Sequence, residues 1–167
     1  VIPEDRHDSG VVLDMTVAEN LVLVDQSNVA NRGLIDQHVL EAFAIELIEQ
    51  FGILCSGPHA PMWSLSGGNQ QKFVLAKWLS ANPKLIILDE PTRGIDVGSK
   101  SAIHQYIAEL AEKGLAVLVI SSEMPEVIGV SHRILVMANG KLVGEFSGDE
   151  MTEERLINAV SGLSEAS

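Results

Sequence analysis

The 167 residues carry 11 Lys and Arg against 23 Asp and Glu, a formal net charge of −12, and 46% of them are hydrophobic. That length suits a single domain with a real core, and the acidic balance argues against nucleic acid as the main partner, because such binding is driven by Lys and Arg displacing counterions. The longest apolar run, 115–120, is far too short to span a bilayer and no charged-then-apolar leader is present, which predicts a soluble unit.

Val1-Ile-Pro-Glu-Asp5 reads like the end of a strand entering a turn, without an initiator Met, and suggests a fragment of a longer chain. Thr16-Val-Ala-Glu19 is a capping-box pattern at the start of a short helix, and 25–36 is a polar stretch suited to a loop. From Val39 to Phe51, apolar Val39, Leu40, Phe43, Leu47, Ile48 and Phe51 recur at helical spacing and predict one buried stripe. Cys55 is alone and reads as a buried or incidental thiol. Gly57-Pro58 and Pro61 break the chain, so residues 13–83 read as mainly helical. The five histidines, His7, His38, His59, His104 and His132, lack metal-ligand spacing.

The period changes after Pro83. Residues 84–89 form a short apolar strand, 98–112 a helix and 115–120 a second buried strand, which together predict a parallel crossover unit. Residues 132–137, Asn139-Gly140 and 141–146 predict a hairpin, since Asn-Gly readily takes the positive φ angles of a two-residue turn. Thr152 caps a last helix through about Val160.

Two segments carry chemistry. Ser66 suits the N-cap of a helix that places Gly67 and Gly68 in its first turn, where each costs about 1 kcal/mol relative to Ala. Exposed N–H groups unobstructed by β-carbons form an anion site there, with the Ser66 hydroxyl as a further donor; a flexible helix entry is the simpler alternative. Leu85-Ile-Ile-Leu-Asp89-Glu90 has the Walker B form. Alternation along a strand aims its two carboxylates differently. Asp89 would hold Mg²⁺ and Glu90 would orient the attacking water; two solvated carboxylates before Pro91 is the alternative. The sequence contains no G-x-x-x-x-G-K-[ST].

Signature, Walker B strand and D-loop in this order resemble the ATP-binding cassette (ABC) superfamily. VIPEDR, GGNQQK, DEPTRGIDVGSK, ISSEMPEVIGVSHRILVM and TEERLINAV look like the second cassette of the monosaccharide (ribose, galactose, xylose) importers, from residue 1 to about 160. The resemblance implies an α/β fold: a partial nucleotide-binding domain with a helical subdomain and a parallel-sheet P-loop NTPase core lacking its P-loop segment, ending in a hairpin and helix. It divides the chain into a Q-loop region (1–12), a helical and signature subdomain (13–83), a Walker B and switch-loop core (84–146), and a C-terminal helix and tail (147–167).

By the same resemblance, ATP and Mg²⁺ are the ligands, with Leu65, Ser66, Gly67, Gly68 and Asn69 as the signature, Ser66 to Gln70 as nucleotide-binding residues within and after it, Asp96 as the D-loop aspartate and Asp89 as the Mg²⁺ residue. Glu90 is the catalytic carboxylate. Two positions depart from the family pattern: Glu4 stands at the Q-loop glutamine and Ser122 at the switch histidine, where it would instead cap the following helix. The signature would act on ATP held by the first cassette of the same polypeptide. Transmembrane permease subunits are the implied partners, an outside sugar-binding protein an indirect one, and the cytoplasmic face of the membrane the implied location. A DNA-repair or translation ATPase of the superfamily, and a catalytically silent docking module, are the competing readings.

Overall fold

The computed structural model describes residues 2, 10–23, 29–31 and 34–161. Contacts divide the chain into two compact units, Val1–Leu118 and Val119–Ser167.

In the first unit, α1 (Val17–Leu21) is opened by the predicted capping box: the Glu19 backbone N–H donates to Thr16 Oγ1 at 3.2 Å and the Thr16 N–H to Glu19 Oε2 at 2.8 Å. The Thr16 N–H and, at 2.9 Å, the Thr16 hydroxyl both donate to Oε2 and hold the Glu19 carboxyl below its usual range. Such a short helix has little intrinsic stability, and its anchor is Asn20, fully buried. Its Oδ1 accepts from the Val12 N–H at 2.8 Å, and its Nδ2 donates to the carbonyls of Val12 at 2.9 Å and Thr16 at 3.0 Å.

Within the stretch expected to be loop, β1 (Ala30–Asn31) and β2 (Leu34–Ile35) pair antiparallel, Ala30 opposite Ile35. Then α2 (Gln37–Gln50) begins at Asp36, whose carboxylate accepts from the His38 and Val39 N–H groups. The buried stripe of α2 is rotated from the expected one: Leu40, Ala44, Leu47 and Phe51 are buried, whereas Val39 is exposed and Phe43 and Ile48 are half-buried. The small Ala44 holds the centre of the face, which a search for large apolar residues passes over.

A 3₁₀ turn at Met62–Ser64 leads into α3 (Gly67–Leu79). Phe73, Val74, Leu75 and Ala76 on α3 are all buried, so this helix is enclosed on most sides. Lys77 is buried with them, and its Nζ donates to the Gly10 carbonyl. Burial pushes the Lys77 pKa below its ordinary 10.5. In the window just under 10.5 the unfolded chain therefore binds more protons than the folded one, and stability rises with pH. Urea midpoints are expected to climb as pH rises toward the ordinary lysine value, and Lys77→Met to flatten that slope.

The strand β3 (Leu85–Asp89), the helix α4 (Val97–Glu112) and the strand β4 (Ala116–Ile120) follow in the expected succession, with β3 and β4 neighbours in one sheet. The Ala116 N–H donates to the Lys84 carbonyl at 3.2 Å. Ile2 pairs parallel with Leu88 on β3. The expectation of continuously buried strands is corrected by period-two alternation: Ile86 and Leu88 are buried while Leu85, Leu118 and Ile120 are exposed.

In the second unit, α5 (Met124–Val130) precedes the hairpin of β5 (Arg133–Ala138) and β6 (Lys141–Ser147), closed by Asn139 at φ 50° and Gly140 at φ 74° as the Asn-Gly turn predicts. The helix α6 (Glu153–Ser161) starts where Thr152 Oγ1 accepts from the Arg155 N–H. Ile134, Val136 and Leu156 form the core of this unit, flanked by Met124, Val127, Phe146 and Ala159.

Candidate functional site

The signature segment is built from the start of α3. Ser66 is its N-cap, extended at φ −63° and ψ 156°, and is exposed. Asn69 defines the orientation of the Ser66 hydroxyl. The Leu54 backbone N–H donates to Asn69 Oδ1 at 2.8 Å, and since an N–H requires an acceptor, the amide oxygen faces Leu54. The amide nitrogen then faces Ser66, and Nδ2 donates to its Oγ at 2.8 Å; the Asn69 backbone N–H approaches the same oxygen at 3.4 Å. With Oγ accepting from Asn69, its own proton is left to donate outward, beside the half-exposed Gly67 that opens the helix.

Gln70 is buried, and its Nε2 donates to the Met62 carbonyl at 3.1 Å, so it braces the 3₁₀ turn against α3 rather than facing solvent. Gly67 is half-exposed and Gly68 buried. Gly68 abuts the start of α4, where a β-carbon on it would lie 2.1 Å from Ser99 Oγ. Part of the expected glycine cost is thus offset by helix packing, a reason separate from anion binding.

Asp96 is the N-cap of α4, its Oδ1 accepting from the Ser99 N–H at 3.0 Å and its Oδ2 from the Ser99 hydroxyl at 2.8 Å. These bonds hold the Asp96 carboxyl below its usual range. The structure therefore brings Ser66, Gly67, Gly68, Asn69, Gln70 and Asp96 to two helix starts that touch through Gly68 and Ser99.

Asp89 ends β3, half-buried, with its N–H donating to the Ile2 carbonyl at 3.0 Å. Glu90 lies outside the strand at φ 45°, in the left-handed region, and its carbonyl accepts from the Arg93 N–H at 3.1 Å. The backbone turns at Glu90 directly after the strand ends at Asp89, which corrects the expectation that strand alternation sets the relation of the two residues. A non-glycine residue there costs on the order of 1–2 kcal/mol. Pro91 and Thr92, both buried, pack the turn.

Glu4 lies outside the described residues. Ser122 is exposed and is not the N-cap of α5; that position is Glu123. The hydroxyl that serves the helix start is the preceding one, Ser121, which accepts from the Glu123 N–H at 3.1 Å and donates to the buried Glu126. Among the described residues, no group of three or more His, Cys, Asp or Glu side chains could hold a metal ion, and no helix is long and apolar enough to cross a membrane.

Sequence reasoning missed Ser99, Asn20 and Lys77. The sequence spacing Asp96-x-x-Ser99 is that of a cap with its N3 residue and signals the first; no local pattern marks the other two, whose partners lie at Val12 and Gly10.

The family model "ABC transporter" matches residues 4–93, just over half of the 167. A protein named ribose import ATP-binding protein RbsA 2 from Rhizobium meliloti (strain 1021) is 47% identical over 165 residues, 99% of this chain and 32% of the relative. One of the same name from Streptomyces coelicolor (strain A3(2)) is 48% identical over 157 residues, 94% of this chain and 30% of the relative. The chain thus spans about a third of the length of these relatives. Among solved structures, the ADP conformation of an ATP-binding cassette of an ABC transporter superposes with TM-score 0.65 at 27% identity, covering 89% of this chain and 59% of that one. A dimeric, post-hydrolysis cassette bound to ADP and Pi superposes with TM-score 0.65 at 24% identity, covering 82% and 58%. With its mixed α/β architecture, a family model matched over just over half of its length and relatives close to half identical over nearly all of it, the chain belongs to the ABC transporter family.

Proposed function

We propose that this chain is the signature-bearing part of the second ATP-binding cassette of a monosaccharide importer, coupling ATP binding and hydrolysis to sugar uptake. The observation that carries the reading is the start of α3, where Asn69 turns the Ser66 hydroxyl outward beside the half-exposed first helical residue, Gly67. A donor cluster of that kind fits the γ-phosphate of ATP held by an opposing cassette. The names of the relatives supply the sugar class, ribose or a related monosaccharide.

The remaining roles divide by position. Asp89 would hold Mg²⁺ as a single carboxylate, a donor set that suits an ion taking its other oxygens from water and nucleotide phosphates. Glu90 would orient the water at this cassette's own nucleotide, and Asp96 would set the D-loop. Glu4 and Ser122, at the Q-loop and switch positions, weaken that own site relative to the signature. Residues 13–83 would meet the permease subunits at the cytoplasmic face of the membrane, and a sugar-binding protein outside would act through the permease. The acidic surface charge supports this over a nucleic-acid partner.

The test is sugar-stimulated phosphate release and uptake by the complete ATPase assembled with its permease in vesicles. Glu90→Gln is expected to lower both about threefold to about tenfold, because it touches one of two nucleotide sites. Unchanged transport would overturn the catalytic role of Glu90 and leave this half a docking module.

A further inference from the structure

The start of α3 and the start of α4 meet at one point, and the contact there is closer than ordinary helix packing. Gly68 is buried, and a β-carbon built on it would lie 2.1 Å from Ser99 Oγ, 2.7 Å from Ser99 Cβ and 3.7 Å from Asp96 Oδ2. The first two distances are steric exclusions; the third is ordinary contact. What forbids a side chain at position 68 is therefore Ser99 alone. The same Ser99 donates through its backbone N–H and its hydroxyl to the two carboxylate oxygens of Asp96. One residue thus holds the signature helix on one side and the cap of α4 on the other.

We propose that Ser99 is a positioning residue, a strut that sets the distance between the signature donors at Ser66 and Gly68 and the Asp96 carboxylate, and that the need for glycine at position 68 comes from this strut. The inference rests on the importer reading for its catalytic consequence, and on geometry alone for the contact itself. A side chain at 68 must push the two helix starts apart, since neither Ser99 Cβ nor backbone can swing away as a long side chain would. Displacement of a donor cluster by about 1 Å costs rate far more than it costs substrate binding.

The experiment compares Gly68→Ala, Ser99→Gly and the double variant in the complete ATPase assembled with its permease, reading kcat and KM for ATP and the unfolding temperature of each. Gly68→Ala is expected to lower kcat about thirtyfold or more with KM changed less than about threefold, and to lower the unfolding temperature. Ser99→Gly removes both excluding atoms, so the double variant is expected to recover kcat to within about fivefold of the Ser99→Gly parent. The same second substitution is not expected to restore Ser66→Arg, which a general stabilising effect would.

A double variant as inactive as Gly68→Ala, with its unfolding temperature restored, would overturn the proposal and assign the glycine requirement to the nucleotide. Wild-type kcat in Gly68→Ala would overturn it too. A wild-type assembly that hydrolyses no ATP would fail the importer reading; the unfolding temperatures then judge the contact, and no drop in Gly68→Ala, or no recovery in the double variant, overturns it.

Discussion

Ser66→Arg in the complete ATPase is expected to abolish sugar-stimulated hydrolysis, a loss of about 100-fold or more. Three effects converge. The hydroxyl that Asn69 turns outward is lost. The Asn69 N–H and Nδ2 lose their shared acceptor, which at an N-cap costs about 1 kcal/mol. A guanidinium on a long stem then fills the space in front of the first-turn N–H groups. Because Ser66 is exposed, the fold survives, so the variant should keep the far-ultraviolet dichroism and protease resistance of the wild type. Phosphate release at wild-type rate in that variant would remove Ser66 from the site.

The largest effect on stability is expected at Asn20→Leu. Its amide supplies the Val12 N–H with an acceptor and the Val12 and Thr16 carbonyls with a donor, all from a fully buried position. Leucine fills similar space but leaves the Val12 N–H unpaired, at roughly 1–3 kcal/mol where water cannot reach it, and removes the second donor from the Val12 and Thr16 carbonyls, which keep the Met15 and Asn20 backbone N–H groups. An opening free energy lower by about 2 kcal/mol or more follows, which is about a 30-fold loss of amide protection. Hydrogen exchange of amides 12–21 in the complete ATPase measures it directly. Asn20→Asp offers a finer comparison, since it keeps the acceptor for Val12 N–H and loses the donor; its protection should fall between wild type and leucine.

Local patterns were legible in the sequence where the partners are near in the chain. The Thr16–Glu19 box, the Asn139-Gly140 turn and the succession 85–89, 97–112, 116–120 depend on spacings of a few residues and came out as the spacing implied. So did Ser66 as the start of α3. What the sequence hid depends on distant partners or on small residues. Ala44 at the centre of the α2 face, Lys77 bonded to Gly10, and Gly68 against Ser99 each need the tertiary fold to be recognised. Ser121 rather than Ser122 serving the α5 start is a difference of one residue, decided by where the chain leaves β4. The reading of Asp89 and Glu90 as neighbours on one strand missed the turn between them, because Glu gives no sign of adopting a positive φ.

That turn bears on how the sheet is kept in register. A five-residue strand whose first four side chains are all apolar has little in its composition to stop it sliding along its neighbours. Here the ladder has a fixed terminus: at φ 45° the backbone at Glu90 cannot continue it, so pairing stops with the Asp89 N–H on the Ile2 carbonyl. Sliding by one residue would force Asp89 or Pro91 into that bend and turn Ile86 and Leu88 toward solvent together. Two unrelated penalties therefore guard the location of a single carboxylate, and the strand works as a ruler whose zero mark is the bend.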